Sequence, residues 1–460
     1  MKKNHIITLI IALFCIGLKA QTPVLTLDSC FALAKANNTQ LLSDLLEIEK
    51  AQQVKAQVFT KYFPQVSISY MAYYAAKPII EYGINDIQDD DLGAFLSALI
   101  TTLNDPEGAN MGLPTEINLM KKGHGVNATA IVPVYAGGRI LNGNRLANVG
   151  IEAAQLKAEV SERDMLENIE SSYYLVLGLQ DKVHTVESAL ALTDSLDHIV
   201  DVALKAGLIT RSDKLRLALK QNDLKAKQMQ LNNGIILASQ LLCQQIGITY
   251  PEAGLALDTA SFSTKHTPAA VIHDNFIRPE QQLLQLQIDA EKLRKKLTLG
   301  ETLPQVGIGG SAFYGNLVRK YKFNAIALAQ VSIPLTQWWE TAHKLKEHDI
   351  VIREAELMQN DLTEKMSLQV KQAYNQMVEA EALMKSDKAA LDMAQENYRL
   401  AELNYRAGMN TITDVLEAHA LLLQAKNAIT DRQITYLTAR RRYHDLSGNY
   451  TTLDCKSRGF

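Results

Sequence analysis

The sequence predicts an α+β membrane protein in which long antiparallel helices accompany a barrel-forming sheet. Three observations lead there. The chain contains an internal duplication, its apolar residues recur every 3.5 positions over long stretches poor in glycine and proline, and four alternating segments have the length of membrane-spanning strands.

The chain opens with Met1-Lys2-Lys3-Asn4-His5, an apolar run from Ile6 to Leu18, then Lys19-Ala20-Gln21. A basic start, a short apolar core and a small residue before a polar one make a signal peptide over residues 1–20, cleaved after Ala20. No later run is long enough for a membrane helix. Any membrane-spanning part must therefore be β-barrel, because only helices and closed barrels satisfy the backbone in lipid. Removing the leader takes three lysines and no acids from a chain of net charge −3, leaving −6. With no basic tract, nucleic-acid binding is disfavoured.

Two halves repeat. Pro133, Tyr173, Gly207 and Asp213 recur 201 residues later as Pro334, Tyr374, Gly408 and Asp414. An earlier pair, Pro64 and Pro304, is offset by 240, so the first half carries 39 extra residues between Pro64 and Pro133. One supersecondary unit has been used twice. The repeats are read as 21–250 and 273–448, with a linker at 251–272 and a tail at 449–460. The insertion, at about 75–122, holds Asp89-Asp90-Asp91 and an apolar helix candidate from Leu92 to Leu103.

The long helices follow from spacing. Met366, Val370, Ala373, Met377, Ala380 and Met384, then Leu391, Ala394, Tyr398, Ala401 and Tyr405, fall four and three apart, broken only at Asp387. The first repeat matches with Met165, Ile169, Ser172, Val176, Leu179 and Val183, continuing to Leu204. Such a seam keeps one stripe against a partner helix. A helix from about Trp338 to Arg406 would be on the order of 100 Å long at 1.5 Å per residue. Gly207 and Gly408 stop the long helices. Shorter helices follow at about 211–246 and 412–447, and others at about 29–60 and 280–300 precede the strands. Each repeat then builds a two-column antiparallel bundle.

The strands are expected at Gln65–Tyr74, Val126–Val134, Gln305–Tyr314 and Phe323–Leu335, with Pro64, Pro133, Pro304 and Pro334 at their helix-proximal ends. Tyr62, Tyr135, Trp338 and Trp339 lie just outside those ends, as in an interfacial aromatic belt against a lipid bilayer. Four strands cannot close a barrel, so two, three or four copies must complete it.

The sequence shows no catalytic constellation. The histidines are scattered, with only the weak pair His343 and His348. There is no phosphate-binding loop, nucleophile elbow or zinc-ligand cysteine pattern, and the three acids Asp89-Asp90-Asp91 offer at most a weak calcium site.

Here the sequence resembles the TolC family of outer-membrane efflux proteins, from about Leu25 to Gly448. Asn404-Tyr405-Arg406-Ala407-Gly408-Met409-Asn410-Thr411-Ile412-Thr413-Asp414-Val415-Leu416-Glu417-Ala418 looks like the second periplasmic hairpin tip. Ala206-Gly207-Leu208-Ile209-Thr210-Arg211-Ser212-Asp213 looks like the first. Val132-Pro133-Val134-Tyr135-Ala136-Gly137-Gly138-Arg139 resembles the strand-to-helix turn, and Gln245-Ile246-Gly247-Ile248-Thr249-Tyr250-Pro251 the end of the first repeat. The resemblance implies a homotrimer with a twelve-stranded barrel, four strands per chain, and a periplasmic helical tunnel tapering at the tips. It implies a passive duct in the outer membrane of a Gram-negative bacterium. A periplasmic adaptor and an inner-membrane pump of the RND, ABC or MFS class would feed it. The alternative is a structural periplasmic coiled coil without channel activity.

The resemblance also assigns residues. Asp414 and Glu417, three apart on one helix face, match acids that constrict the entrance. Tyr405 and Asp213 match a latch between hairpins. Asn410, opposite Ser212, stands where the family's second link has an arginine. Gly207, Leu208 and Thr210, with Gly408, Met409 and Thr411, match the adaptor-contact tips. Both chain ends of the family lie near the middle of the tunnel, so an oxidising compartment permits a Cys30–Cys455 disulfide; the alternative is two free thiols. Cys243 is read as a buried apolar residue.

Overall fold

The computed structural model describes residues 24–77, 80–83, 90–103, 116–119, 122–207, 209–252, 254–262, 278–316 and 321–448. The leader, Asp89, Leu208, Cys455 and the tail at 449–460 lie outside the described residues, as do parts of the insertion and linker.

The helices are α1 (Leu27–Asn37), α2 (Thr39–Phe59), α3 (Asp90–Leu103), α4 (Arg139–Lys205), α5 (Arg211–Ile246), α6 (Pro279–Thr302), α7 (Gln337–Arg406) and α8 (Ile412–Leu446). The strands are β1 (Gln65–Tyr74), β2 (Ile80–Gly83), β3 (Glu116–Leu119), β4 (Lys122–Ala136), β5 (Gln305–Gly315) and β6 (Lys322–Ser332). They fall into two compact units. One comprises Met1–Lys50, Ile151–Gln287 and Glu354–Phe460; the other comprises Ala51–Gly150 and Ile288–Arg353. Both repeats contribute to both units.

The helical unit buries the expected seam. Met366, Ala373, Met377, Ala380 and Met384 are buried in α7, as are Met165, Ile169, Val176 and Val186 in α4. Of these, Ala373, Met377, Ala380, Met384, Met165, Ile169 and Val176 share a core with Leu242 and Ile246 of α5 and with Tyr436, Leu437 and Tyr443 of α8, while Val186 packs in a separate cluster with Leu224 and Leu231 of α5. A separate cluster near the tips holds Leu196, Val200, Leu217, Tyr398, Ala401, Ile412 and Val415. Asp387, the break in the spacing, binds Arg432 Nε at 2.9 Å. The duplicated tyrosines diverge. Tyr173 is fully buried, its hydroxyl 3.0 Å from the carbonyl oxygens of Leu25 and Asp258, whereas Tyr374 is 40% exposed.

The other unit is built on an antiparallel sheet in the order β1-β4-β5-β6. The expected strands are present with shifted ends. β4 begins at Lys122, and β6 stops at Ser332, before Pro334. Pro133 departs from expectation. It lies inside β4 rather than at its end, and the register with β5 shifts between Pro133 and Tyr135. A proline donates nothing to the ladder, and a bulge is where that loss is tolerated. The insertion holds α3 and a two-stranded sheet of β2 and β3. These four-residue strands were not expected, being too short to show alternation.

Candidate functional site

Register and alternation sort the sheet into two faces. Directly paired residues share a face, which places Val66, Ile68, Tyr70 and Ala72 of β1 with His124, Val126, Ala128, Ala130 and Val132 of β4. The same face continues through Ile308, Gly310, Ala312 and Tyr314 of β5 to Phe323, Ala325, Ala327, Ala329 and Val331 of β6. Between its ends it carries only apolar residues. The opposite face carries the polar residues Ser67, Ser69, Asn127, Thr129, Ser311, Asn324 and Gln330 together with Met71, Ile131, Phe313, Ile326 and Leu328. There Ser311 Oγ donates to Asn127 Oδ1 at 2.6 Å, and Asn127 Nδ2 donates to Thr129 Oγ1 at 3.1 Å.

The bulge decides where Tyr135 points. Simple alternation would put it on the opposite, mixed face. Because the register shifts, Tyr135 pairs with Val306 and joins the apolar face. Tyr62, Tyr135, Trp338 and Trp339 are all exposed, Trp339 to 76%. Trp338 Nε1 donates to Thr302 O at 3.1 Å, which fixes its ring.

At the loop end of the apolar face lies a second aromatic group that the sequence reading missed. Tyr314 stacks on Tyr321 with ring centroids 5.7 Å apart, and the Tyr321 hydroxyl is 2.7 Å from His124 Nε2. Tyr70, Tyr74 and Phe323 are exposed beside them. The signal was present in the sequence, since Tyr70, Tyr314 and Phe323 end their alternating runs. From Val126 to Tyr135 the chain advances on the order of 30 Å along the strand. A tilted membrane strand covers an apolar band of about 25 Å in such a length. β1 and β6 are the sheet's edges, and their side chains are almost all exposed.

At the far ends of the long helices, Gly207 and Gly408 both have positive φ, +75° and +72°, with open space around them. Each is followed by the same helix start. Thr210 caps α5 and Thr411 caps α8, and each forms a reciprocal capping box with an aspartate three residues on. Asp213 Oδ2 accepts from the Thr210 backbone N–H at 3.0 Å and from its hydroxyl at 2.7 Å. Hydrogen bonds from Thr210 hold the Asp213 carboxyl below its ordinary range, and those from Thr411 do the same for Asp414. Sequence reading assigned both acids without noticing the Thr-x-x-Asp pattern that gives them a structural role.

Glu417, Met409 and Ser212 are exposed, and Asn410 is half-buried. The Tyr405 hydroxyl is buried without a hydrogen-bond partner among the described residues. Burial, and then the Asp213 charge, raise its pKa. Arg216 Nη1 donates to Thr413 Oγ1 at 2.8 Å, an unanticipated link between α5 and α8. His419 is buried against Tyr398 with ring centroids 5.6 Å apart. Burial, with Lys220 and Lys426 nearby, lowers its pKa to about 4, so the ring is neutral.

Among the described residues, no group of three or more His, Cys, Asp or Glu side chains could hold a metal ion. No described helix is long and apolar enough to cross a membrane.

The sequence profile of the outer membrane efflux protein family matches residues 280–449. The outer membrane protein TolC of Salmonella enteritidis is 23% identical over 300 residues, which cover 61% of this chain and 60% of that protein. The chain thus spans about 60% of the length of the curated relatives it matches. In structure it is similar to the Campylobacter jejuni CmeC outer membrane channel, with a TM-score of 0.74 at 13% identity, covering 94% of this chain and 88% of that one. It is also similar to the outer membrane protein VceC from Vibrio cholerae, with a TM-score of 0.69 at 14% identity and coverage of 92% and 96%. The barrel-and-coiled-coil fold is therefore shared with these proteins.

Proposed function

We propose that this chain, which belongs to the TolC family of outer membrane efflux proteins, is the passive outer-membrane exit duct of a tripartite efflux or type I secretion system. One observation carries the reading. A four-stranded sheet of membrane-spanning length has one face that is wholly apolar between its ends, a second, mixed face that carries its polar side chains, and two open edges. An open edge is not viable in lipid. Copies of the chain must close the sheet, and three copies give the twelve strands that the family resemblance implies. The apolar face then meets the bilayer between the two aromatic groups, and the mixed face lines a water-filled lumen.

The tips supply the gate. In a trimer, Asp414 and Glu417 each form a ring of three carboxylates, which favours cations and repels anions. Capping leaves Asp414 ionised, so it still contributes its charge. For the latch, both capping bonds of Asp213 use one carboxylate oxygen, Oδ2. Its other oxygen accepts the unpartnered Tyr405 hydroxyl when neighbouring hairpins close. Asn410 and Ser212 form at most a neutral second link. Gly207 and Gly408, with Thr210, Met409 and Thr411, present open backbone turns to a periplasmic adaptor, which couples the duct to the inner-membrane pump.

The reading is tested by fractionation followed by native mass spectrometry. The protein is expected in the outer-membrane fraction, released only by detergent, with three chains per particle. A chain released without detergent, or one that is monomeric in detergent, would contradict the reading and favour a periplasmic coiled coil.

A further inference from the structure

We propose that a cavity where the sheet meets α2 and α4 binds small organic anions on their way out, compounds with an apolar body and a sulfonate, carboxylate or phosphate head. The cavity measures about 600 Å³. Small-molecule sites run from about 300 to 1,000 Å³. It lies on the mixed face of the sheet, at the helix-proximal end. Register puts Gln65, Ile131, Gly307 and Gln330 on that face, and all four line it. Gly307 leaves the floor open, since a Cβ there would come within 3.1 Å of Ile131 Cγ2.

The charge of the cavity is of one sign. Among the described residues its charged lining is Lys61 and Arg139, with no acid. Arg139 donates from Nε to Ala136 O at 3.3 Å, and neither it nor Lys61 has a carboxylate partner among the described residues. Arg139 also stands in the first turn of α4, where the helix dipole disfavours a cation, and no acid shares that turn. Two unpaired cations on one cavity leave a counter-charge to be supplied from outside. The amides of Gln65 and Gln330 add neutral donors, and Val58 and Ile131 supply an apolar wall for the body of the ligand. The export role rests on the exit-duct reading; the binding does not, because one chain lines the cavity.

The test is calorimetric titration of the protein in non-ionic detergent with naphthalene-1-sulfonate and, separately, with the uncharged naphthalene-1-sulfonamide. One sulfonate site per chain is expected, with the sulfonamide about tenfold weaker or more. Lys61→Gln and Arg139→Gln should each weaken the sulfonate about tenfold, the loss of one charge-assisted bond, and leave the sulfonamide unchanged. Lys61 is exposed, so its variant reports even where Arg139→Gln disturbs the turn. Equal affinity for the two probes, or unchanged sulfonate affinity in Lys61→Gln, would overturn the proposal. Native mass spectrometry of the same sample separates the two readings: trimers that bind no sulfonate contradict this inference alone.

Discussion

Asp414 binds Thr411 twice through a single carboxylate oxygen, 2.8 Å from the backbone N–H and 2.9 Å from the hydroxyl. Asp213 binds Thr210 in the same way, 201 residues earlier. The duplicated acids proposed here for the gate and the latch also start the returning helices.

Removing the cap should loosen the tip. Thr411→Ala is expected to destabilise the first turn of α8 by about 1 kcal/mol, measured by hydrogen exchange. Asp414→Asn should destabilise the same turn at pH 7. Because the folded carboxyl titrates below its ordinary value, its contribution is complete above the unfolded pKa and is lost as pH falls through the folded one. The difference between Asp414→Asn and wild type should therefore close below the carboxylate range. A difference independent of pH would refute the capping role.

The two tip-facing and core-facing glycines should behave differently. Gly408 has φ +72° and nothing within 4 Å of an added Cβ, so Gly408→Ala should cost about 1–2 kcal/mol, the penalty for left-handed backbone alone. Gly247 has the same φ, but an added Cβ would meet Asn37 at 2.5 Å and its carbonyl oxygen at 2.7 Å. Gly247→Ala should therefore lower the thermal midpoint by more. Equal shifts would contradict the close packing of α1 on α5.

Asp445 should make stability fall as pH rises. It is buried, with Oδ2 bound to Arg441 Nε at 2.8 Å and Oδ1 unpartnered among the described residues. Burial outweighs Arg441 and Arg163, Glu167 adds to it, and the pKa rises to about 6. The folded chain then holds the extra proton between about pH 4 and 6. Relative to wild type, Asp445→Asn should gain about 2 kcal/mol between pH 4 and pH 7. Unfolding measured across that range would show a constant difference if Asp445 titrates normally.

The latch separates from the cap by comparing variants. Tyr405→Phe with Asp213→Ala should raise the time-averaged conductance of the reconstituted protein. Thr210→Ala, which weakens the same cap but keeps both latch groups, should not. Equal effects from the two would assign the change to loss of the helix start.

Much of this fold was legible because it is periodic. The 3.5-residue seam named Met377, Ala380 and Met384 before any coordinates, and burial follows it. Where the pattern failed, the reason was a long-range partner. Asp387 sits in the seam because Arg432 reaches it. Tyr173 and Tyr374 are equivalent in sequence, but only Tyr173 receives the segment carrying Leu25 and Asp258. Pro133 was read as a strand end because a one-residue bulge leaves no trace in alternation. For the tips, spacing located Asp213 and Asp414, but their local bonding to threonine had to be seen in three dimensions.

The central claim is that copies of this sheet close around a conducting lumen entered through rings of acids. The most direct test is ion selectivity of the purified protein in planar bilayers. Discrete, cation-selective conductance is expected, with selectivity falling and block by multivalent cations weakening in Asp414→Asn with Glu417→Gln. No conductance from detergent-extracted trimers, or selectivity and block unchanged in the double variant, would contradict the account.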